Sequence, residues 1–223
     1  TGRPSRKPFG FFTAQPRWLR AALRAVNATI VADVLRSRLM QALLRPLRLD
    51  RIARELPRLP RTLALPTRKV APSRGRVGLF LGCVASVADR DVHSGAVRLL
   101  NALGYEVVLP RHQGCCGALA LHVGAIDGAD ALGAQLREAF IGVETVLVSA
   151  SGCFGTLRDR VFASGAARVR EIHEFLDVDA EIANLRFRPL PVRGALHTPC
   201  TQKNVAHAEG AISRLLGRIP SLE

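Results

Sequence analysis

The run VGLFLGC, residues 77–83, carries no charge over seven positions and closes on a glycine and a cysteine. A short apolar run closed this way reads as a strand. Three more runs of the same type follow: YEVVLP (105–110), TVLVSA (145–150) and VRGALH (192–197). Between them lie stretches of helical type, including Asp91 to Leu103, Gly117 to Phe140 and Phe154 to Phe162. Strands alternating with helices predict an α/β fold, with a parallel, doubly wound, Rossmann-like sheet and right-handed crossovers.

The cysteines fall on this map in a regular way. Cys83 directly follows the first run, Cys115 and Cys116 lie in the loop after the second, Cys153 follows the third and Cys200 the fourth. In open α/β sheets the strand carboxyl ends share one edge, and ligands bind in the crevice outside it. Residues tens of positions apart are therefore expected to converge. A disulfide between Cys115 and Cys116 would strain the peptide, because adjacent Cα atoms lie about 3.8 Å apart while disulfides prefer about 5.5 Å. The pair reads instead as a ligand or redox element. Gly117 and Gly152 sit where helices should begin, and helix N-termini favour thiolate over thiol. Gly82, Gly114, Gly117 and Gly152 allow backbone to approach a bulky inorganic cofactor.

Five cysteines in 223 residues, without a short-range framework, argue against a secreted disulfide scaffold and for a reducing, cytoplasmic compartment. Charge is divided unevenly. Residues 1–76 hold 18 Lys and Arg against 3 Asp and Glu, whereas residues 77–223 hold 14 against 15. Leu19, Leu23, Val26 and Ile30 recur at helical spacing opposite Arg17, Arg20 and Arg24, and Leu35, Leu39 and Leu43 form a second apolar row within Asp33 to Arg45. Pro46, Pro57, Pro60, Pro66 and Pro72 then interrupt the pattern. Residues 1–74 read as a basic helical arm with a Pro-rich linker. Three uses are open to it: a solvated amphipathic pair of helices, docking to an acidic subunit, or peripheral binding to the anionic inner face of a membrane. Nucleic acid is the weakest partner class, since one Trp, one Tyr and no recognition motif accompany the charge. The uncharged stretch 25–32 falls far short of the roughly 20 residues of a membrane span, and no compact secretory leader is present.

No Walker loop is present and no G-x-G-x-x-G follows a strand. For the cysteines several chemistries stay open at this level: buried structural thiols, a zinc tetrahedron, a vicinal dithiol switch, a Cys nucleophile with a His base, or an iron–sulfur cluster. His112, His122 and His197 flank them, with His122 best placed as a supporting hydrogen-bond donor.

The surrounding words narrow the choice. LFLGCV at Cys83, GCCGAL followed by His122, SASGCF at Cys153 and HTPCT at Cys200, with 31 residues between Cys83 and Cys115 and 35 between Gly117 and Cys153, resemble the CCG cysteine-rich domain family. Within it they are most similar to the iron–sulfur subunit of glycolate oxidase, and also to lactate-utilisation and heterodisulfide reductase subunits. The resemblance covers roughly residues 77–223. It implies that Cys83, Cys115, Cys116 and Cys153 hold an iron–sulfur cluster of [4Fe–4S] type, with zinc as the alternative metal. It implies electron transfer from a partner flavoprotein subunit that oxidises a 2-hydroxy acid toward a membrane acceptor, with no substrate chemistry on this chain. It also divides the chain into an arm (1–74), a first CCG half (75–191) and the start of a truncated second half (192–223), opened by Cys200 as a further metal-ligand candidate. Two departures accompany it. Thr156 stands where the fullest motif has the last cysteine of C-x-x-C, and residues 1–82 lack the ferredoxin-like cysteines common in the family. Those departures keep a second reading, a zinc-stapled or metal-free interaction module left from such a subunit.

Overall fold

The computed structural model describes residues 21, 25, 34, 37–47, 65, 66 and 73–223. The expected apolar row from Leu19 to Ile30, the arginines opposite it and Leu35 lie outside the described residues. Helix α1, Arg38–Leu44, is capped by the Ser37 hydroxyl, which accepts from Met40 N at 3.3 Å. Its Leu39 and Leu43, two members of the second expected row, are exposed.

Four parallel strands form one sheet in the order β2-β1-β3-β4, with β1 at Gly75–Phe80, β2 at Tyr105–Val108, β3 at Thr145–Val148 and β4 at Arg168–Glu171. Short α2 (Ala85–Ala88) and long α3 (Arg90–Ala102) connect β1 to β2, and α4 (Ala118–His122) and α5 (Ile126–Ala139) connect β2 to β3. After β3 come α6 (Ser151–Thr156), running into a π-helical turn at Leu157–Val161, then β4 and α7 (Ile172–Asp177). Helices α8 (Cys200–Asn204) and α9 (Glu209–Leu216) complete the described chain.

Strand alternation divides the core between two layers. Phe80, Val146 and Val148 join Leu132, Leu136 and Phe140 on one side of the sheet, while Leu79 and Leu147 join Val97, Leu100, Ile172 and Phe175 on the other. Both faces of β1 and β3 are therefore covered, as a parallel sheet with helices on each side requires. Gly78 lets the first layer close up: a Cβ there would lie 2.8 Å from the Phe140 ring.

Three expectations are corrected. The fourth strand of the sheet is Arg168–Glu171 rather than VRGALH (192–197). Its alternating arginines hid it from a search for apolar runs, and β4 is an edge strand, where charged residues keep the outer rim from pairing with other chains. Segment 192–197 is instead exposed and makes one parallel bridge, Val192 with Leu222. Cys200 consequently follows no strand of this sheet and stands exposed at the start of α8. Finally, the helical stretch 117–140 is two helices, parted at Gly124, whose φ of +77° a β-carbon would resist.

Candidate metal centre

The strand order reverses between β1 and β3, so the loops leaving their carboxyl ends diverge to opposite sides and open a crevice between them. Cys83 lies in the turn after β1, Cys153 in α6 just after β3, and the Cys115-Cys116 loop arrives from β2. The sulfurs meet as two pairs: Cys83 Sγ is 3.4 Å from Cys115 Sγ, and Cys116 Sγ is 3.0 Å from Cys153 Sγ. Cys83, Cys115 and Cys116 are buried and Cys153 is half-buried. All four line one cavity of about 390 Å³, together with Gly82, Asp89, Leu119, His122 and Gly152.

Local sequence fixes each sulfur. Gly117 is the N-cap of α4 at φ +85°, and a Cβ there would sit 3.2 Å from the Ala129 carbonyl, so α5 approaches the cysteine loop only because the side chain is missing. Its N–H points at Cys115 Sγ at 3.5 Å. The Cys153 N–H donates to Ala150 O at 2.9 Å, closing the first turn of α6. Gly82 (φ +71°) likewise needs its missing Cβ, whereas a Cβ at Gly114 would make only ordinary contact with Gln135 and one at Gly152 would meet nothing within 4 Å.

Gln113 was not singled out in the sequence, although it stands two residues before Cys115. Its Oε1 accepts from Leu81 N at 2.7 Å and its Nε2 donates to Leu79 O at 3.2 Å, so a buried side chain continues the pairing of β1 beyond the end of β2. It ties the cysteine loop to the strand that delivers Cys83. On the other side, Gln135 Nε2 donates to His112 O at 2.8 Å. The Ser151 and Thr201 hydroxyls, 2.8 Å apart, fasten the Cys153 turn to α8.

Cys83, Cys115 and Cys116 are held in their neutral form. Contact with Cys115 and then burial push Cys83 up strongly. Cys115 is pushed up to about 11, chiefly by Cys116 and then by burial, against an opposing effect of Cys83. For Cys116 the largest influence, Cys115, lowers the value, but Cys153 and burial outweigh it and the thiol stands at about 12. The N–H groups of Gly117 and Ala118 do favour thiolate, as the helix starts predicted, yet they lose to burial and sulfur–sulfur contact. Only a bound cationic centre would reverse this, since coordination deprotonates a thiol outright.

That donor set fits a multinuclear iron–sulfur centre: four sulfurs, no competing carboxylate among the pairs, and room between the loops. It is not preformed around one point. Among the described residues no group of three or more His, Cys, Asp or Glu side chains is arranged to hold a single metal ion. His122 reaches the cavity wall, while His112, His197 and Cys200 do not line it. No helix among the described residues is long and apolar enough to cross a membrane.

Comparison with known proteins places this geometry. A family model described as CCG, cysteine-rich domain, matches residues 77–158. An iron–sulfur protein of Methanocaldococcus jannaschii, itself uncharacterized, is 31% identical over 150 residues, covering 66% of this chain and 30% of that one. One of the polypeptides of a CoM/CoB fumarate reductase from Methanothermobacter marburgensis is 30% identical over 149 residues, with 66% and 30% covered. The glycolate oxidase iron–sulfur subunit of Escherichia coli is 26% identical over 193 residues, with 79% and 46% covered. The chain thus spans between 30% and 46% of the length of these relatives. No solved structure matches significantly. Residues 77–158, the segment that delivers Cys83, Cys115, Cys116 and Cys153 to one cavity, belong to the CCG cysteine-rich domain family.

Proposed function

We propose that this chain is an iron–sulfur electron-transfer subunit of an oxidoreductase, and that Cys83, Cys115, Cys116 and Cys153 hold the cluster, of [4Fe–4S] type. The observation that carries the reading is the meeting of four sulfurs from three separate segments in one cavity at the reversal of strand order. Such a cluster supplies one-electron transfer. The chain's own residues set its surroundings. Burial of Cys83, Cys115 and Cys116 limits water, the N–H groups of Gly117 and Ala118 face sulfur, and Gln113 fixes the loop that carries two of the four thiols.

Named relatives in glycolate oxidase and lactate utilisation support a place beside other subunits of such a complex. On this reading a flavoprotein partner oxidises a 2-hydroxy acid and delivers electrons to the cluster, which passes them toward a membrane acceptor. The basic segment 1–74 is then the contact to an acidic subunit or to the inner membrane face in the cytoplasm, and residues 192–223 open a second half of the domain. Thr156 withholds a fifth thiolate next to Cys153, which favours a cluster with four protein ligands.

Anaerobic purification with iron, acid-labile sulfide and zinc analysis, paired with EPR of wild type and Cys116→Ser, tests the assignment. Matching iron and sulfide with a signal altered in the variant is the expected result. Stoichiometric zinc without iron would make the cysteines a structural staple and overturn it.

A further inference from the structure

A second cavity, of about 360 Å³, adjoins the cysteine-lined one and shares Asp89 and Ala150 with it. It lies beyond the β3 carboxyl end, toward α3, α7 and α9. Its walls are apolar, with Val92, Leu99, Ile172, Leu176, Phe187 and Leu216 among them. Three polar side chains also reach it: Asp89, Ser149 and His173.

Two of these, His173 and Ser149, have side-chain partners of their own. Glu171 is fully buried, and its Oε2 accepts from the His173 and Glu174 backbone N–H groups at 2.7 and 3.0 Å. Its Oε1 lies 2.7 Å from His173 Nδ1. Contact with a carboxylate places the proton of a neutral imidazole on Nδ1 and leaves Nε2 as an acceptor. Among the described residues Nε2 has no hydrogen-bond partner. The Ser149 hydroxyl lies 3.5 Å from His93 Nε2. No Lys or Arg lines the cavity, so its polar content is a carboxyl, an imidazole acceptor and a hydroxyl. A carboxylate or phosphate ligand would find no Lys or Arg there and would face the Asp89 carboxyl.

We propose that this cavity binds a compact apolar molecule through a hydroxyl group, of the phenol class, with His173 Nε2 accepting the hydroxyl proton in a hydrogen bond. A volume of this size is at the small end of ligand pockets and suits one or two fused rings. A phenol is a stronger donor than an alkanol, and it carries no charge to desolvate, which matches an imidazole acceptor set in an apolar wall. The occupant lies across Asp89 and Ala150 from the cysteines, and its binding does not depend on the metal reading.

Binding of 1-naphthol and of naphthalene, which lacks the hydroxyl, is compared by fluorescence titration on the full chain, both metal-free and after iron loading. Saturable 1-naphthol binding, about three- to tenfold tighter than naphthalene, is expected for one net hydrogen bond. In His173→Phe the two probes should bind within twofold of each other, because the ring shape stays and the acceptor is lost. Ala96 also lines the cavity, and Ala96→Phe, which fills it, should remove binding of both, provided its circular dichroism matches wild type. Equal binding of the two probes by wild type, no saturable binding of either, or an unchanged preference in His173→Phe would overturn the proposal. Because the comparison is also made without metal, failure here leaves the cluster assignment standing, and absence of iron leaves this site standing.

Discussion

Two segments of the chain run through the same succession of elements, and only one of them builds a site. From residue 75 the chain makes β1, a short helix, a long helix and β2; from residue 190 it makes a segment outside helix and sheet, short α8, long α9 and a turn that carries one bridging residue, Leu222. Both units close on a parallel pairing, β1 with β2 in a four-residue register and Val192 with Leu222 in a single bridge. Both carry a cysteine where the first piece gives way to the short helix. Cys83 is 7% exposed and meets Cys115, whereas Cys200 is exposed and forms no sulfur contact. The difference lies in what surrounds each unit. β1 is flanked on both sides by strands that bring cysteine loops of their own, while the later pair has no third strand among the described residues. A local motif supplies the sulfur; neighbouring strands bring other sulfurs to it.

Serine replacements break that comparison most directly. Cys83→Ser and Cys116→Ser are expected to remove nearly all bound iron and acid-labile sulfide after anaerobic reconstitution, because a cluster of this kind is held by its thiolates. Cys200→Ser should keep the wild-type content. Equal losses in all three variants would show that the two units are not distinct.

Next in size is the contrast between buried and exposed carboxylates. Glu171 caps α7 with two backbone N–H bonds and holds His173, all behind a fully buried side chain. Glu171→Ala should lower unfolding stability by about 2–3 kcal/mol, from a lost cap and stranded donors. In the later unit Glu209 pairs with Lys203 at 3.9 Å, both well exposed. Glu209→Gln should cost about 0–0.5 kcal/mol. Urea unfolding of the metal-free proteins measures both, and a similar cost at the two positions would remove the distinction.

How far sequence reached follows the same division. β1 and β3 were legible because both their faces are buried, so every residue from Val146 to Val148 is apolar. β4 was not, since Arg168 and Arg170 break the apolar run on an edge strand. VRGALH read as a strand for the converse reason: its composition suits a sheet, and only the partner strands are missing. The four converging cysteines could be placed from strand ends and spacing, but their pairing as 83 with 115 and 116 with 153 depends on loop paths no local pattern encodes. Gln113 and Asp89 were missed because one polar residue in a loop carries no periodicity. The helix-start argument found the N–H groups that favour thiolate but did not weigh the burial that opposes them at Cys115 and Cys116.

A pH series sharpens the comparison further. His93 stands ten residues after Cys83, is fully buried, and is lowered to about 4 by burial first and then by the charge of Arg90, against a smaller opposing effect of Asp91. An unfolded His titrates near 6.5, so between about pH 6.5 and 4 the unfolded chain binds a proton that the folded chain refuses. Stability should therefore fall as pH falls through this window, by about 1–3 kcal/mol in all. His93→Phe should flatten the slope there. Glu171 and Asp179 act elsewhere. Burial pushes both up, but their hydrogen-bond donors win and hold both below the ordinary range. Their contributions are present above about pH 4 and are lost only as pH falls through their folded values. A His93→Phe profile that kept the wild-type slope between pH 6.5 and 4 would remove His93 as its source.

The smallest expected effects come from two glycines, and they differ in sign. Ten residues after Cys200 the position matching His93 is Gly210, inside α9, where an added Cβ would meet only the far end of the Arg214 side chain at 3.0 Å. Gly210→Ala should raise stability by about 0.5–1 kcal/mol, through a smaller loss of chain entropy on folding. Gly117→Ala places its Cβ against the Ala129 backbone at a φ of +85°, where neither partner can yield without moving α4 from α5. A loss of about 1–2 kcal/mol is expected there. It should come with reduced iron retention, because Gly117 N points at Cys115 Sγ. If Gly117→Ala kept both stability and iron, the close approach of α5 would not be what positions the cysteine loop. The contrast between the units would then rest on the sulfurs alone.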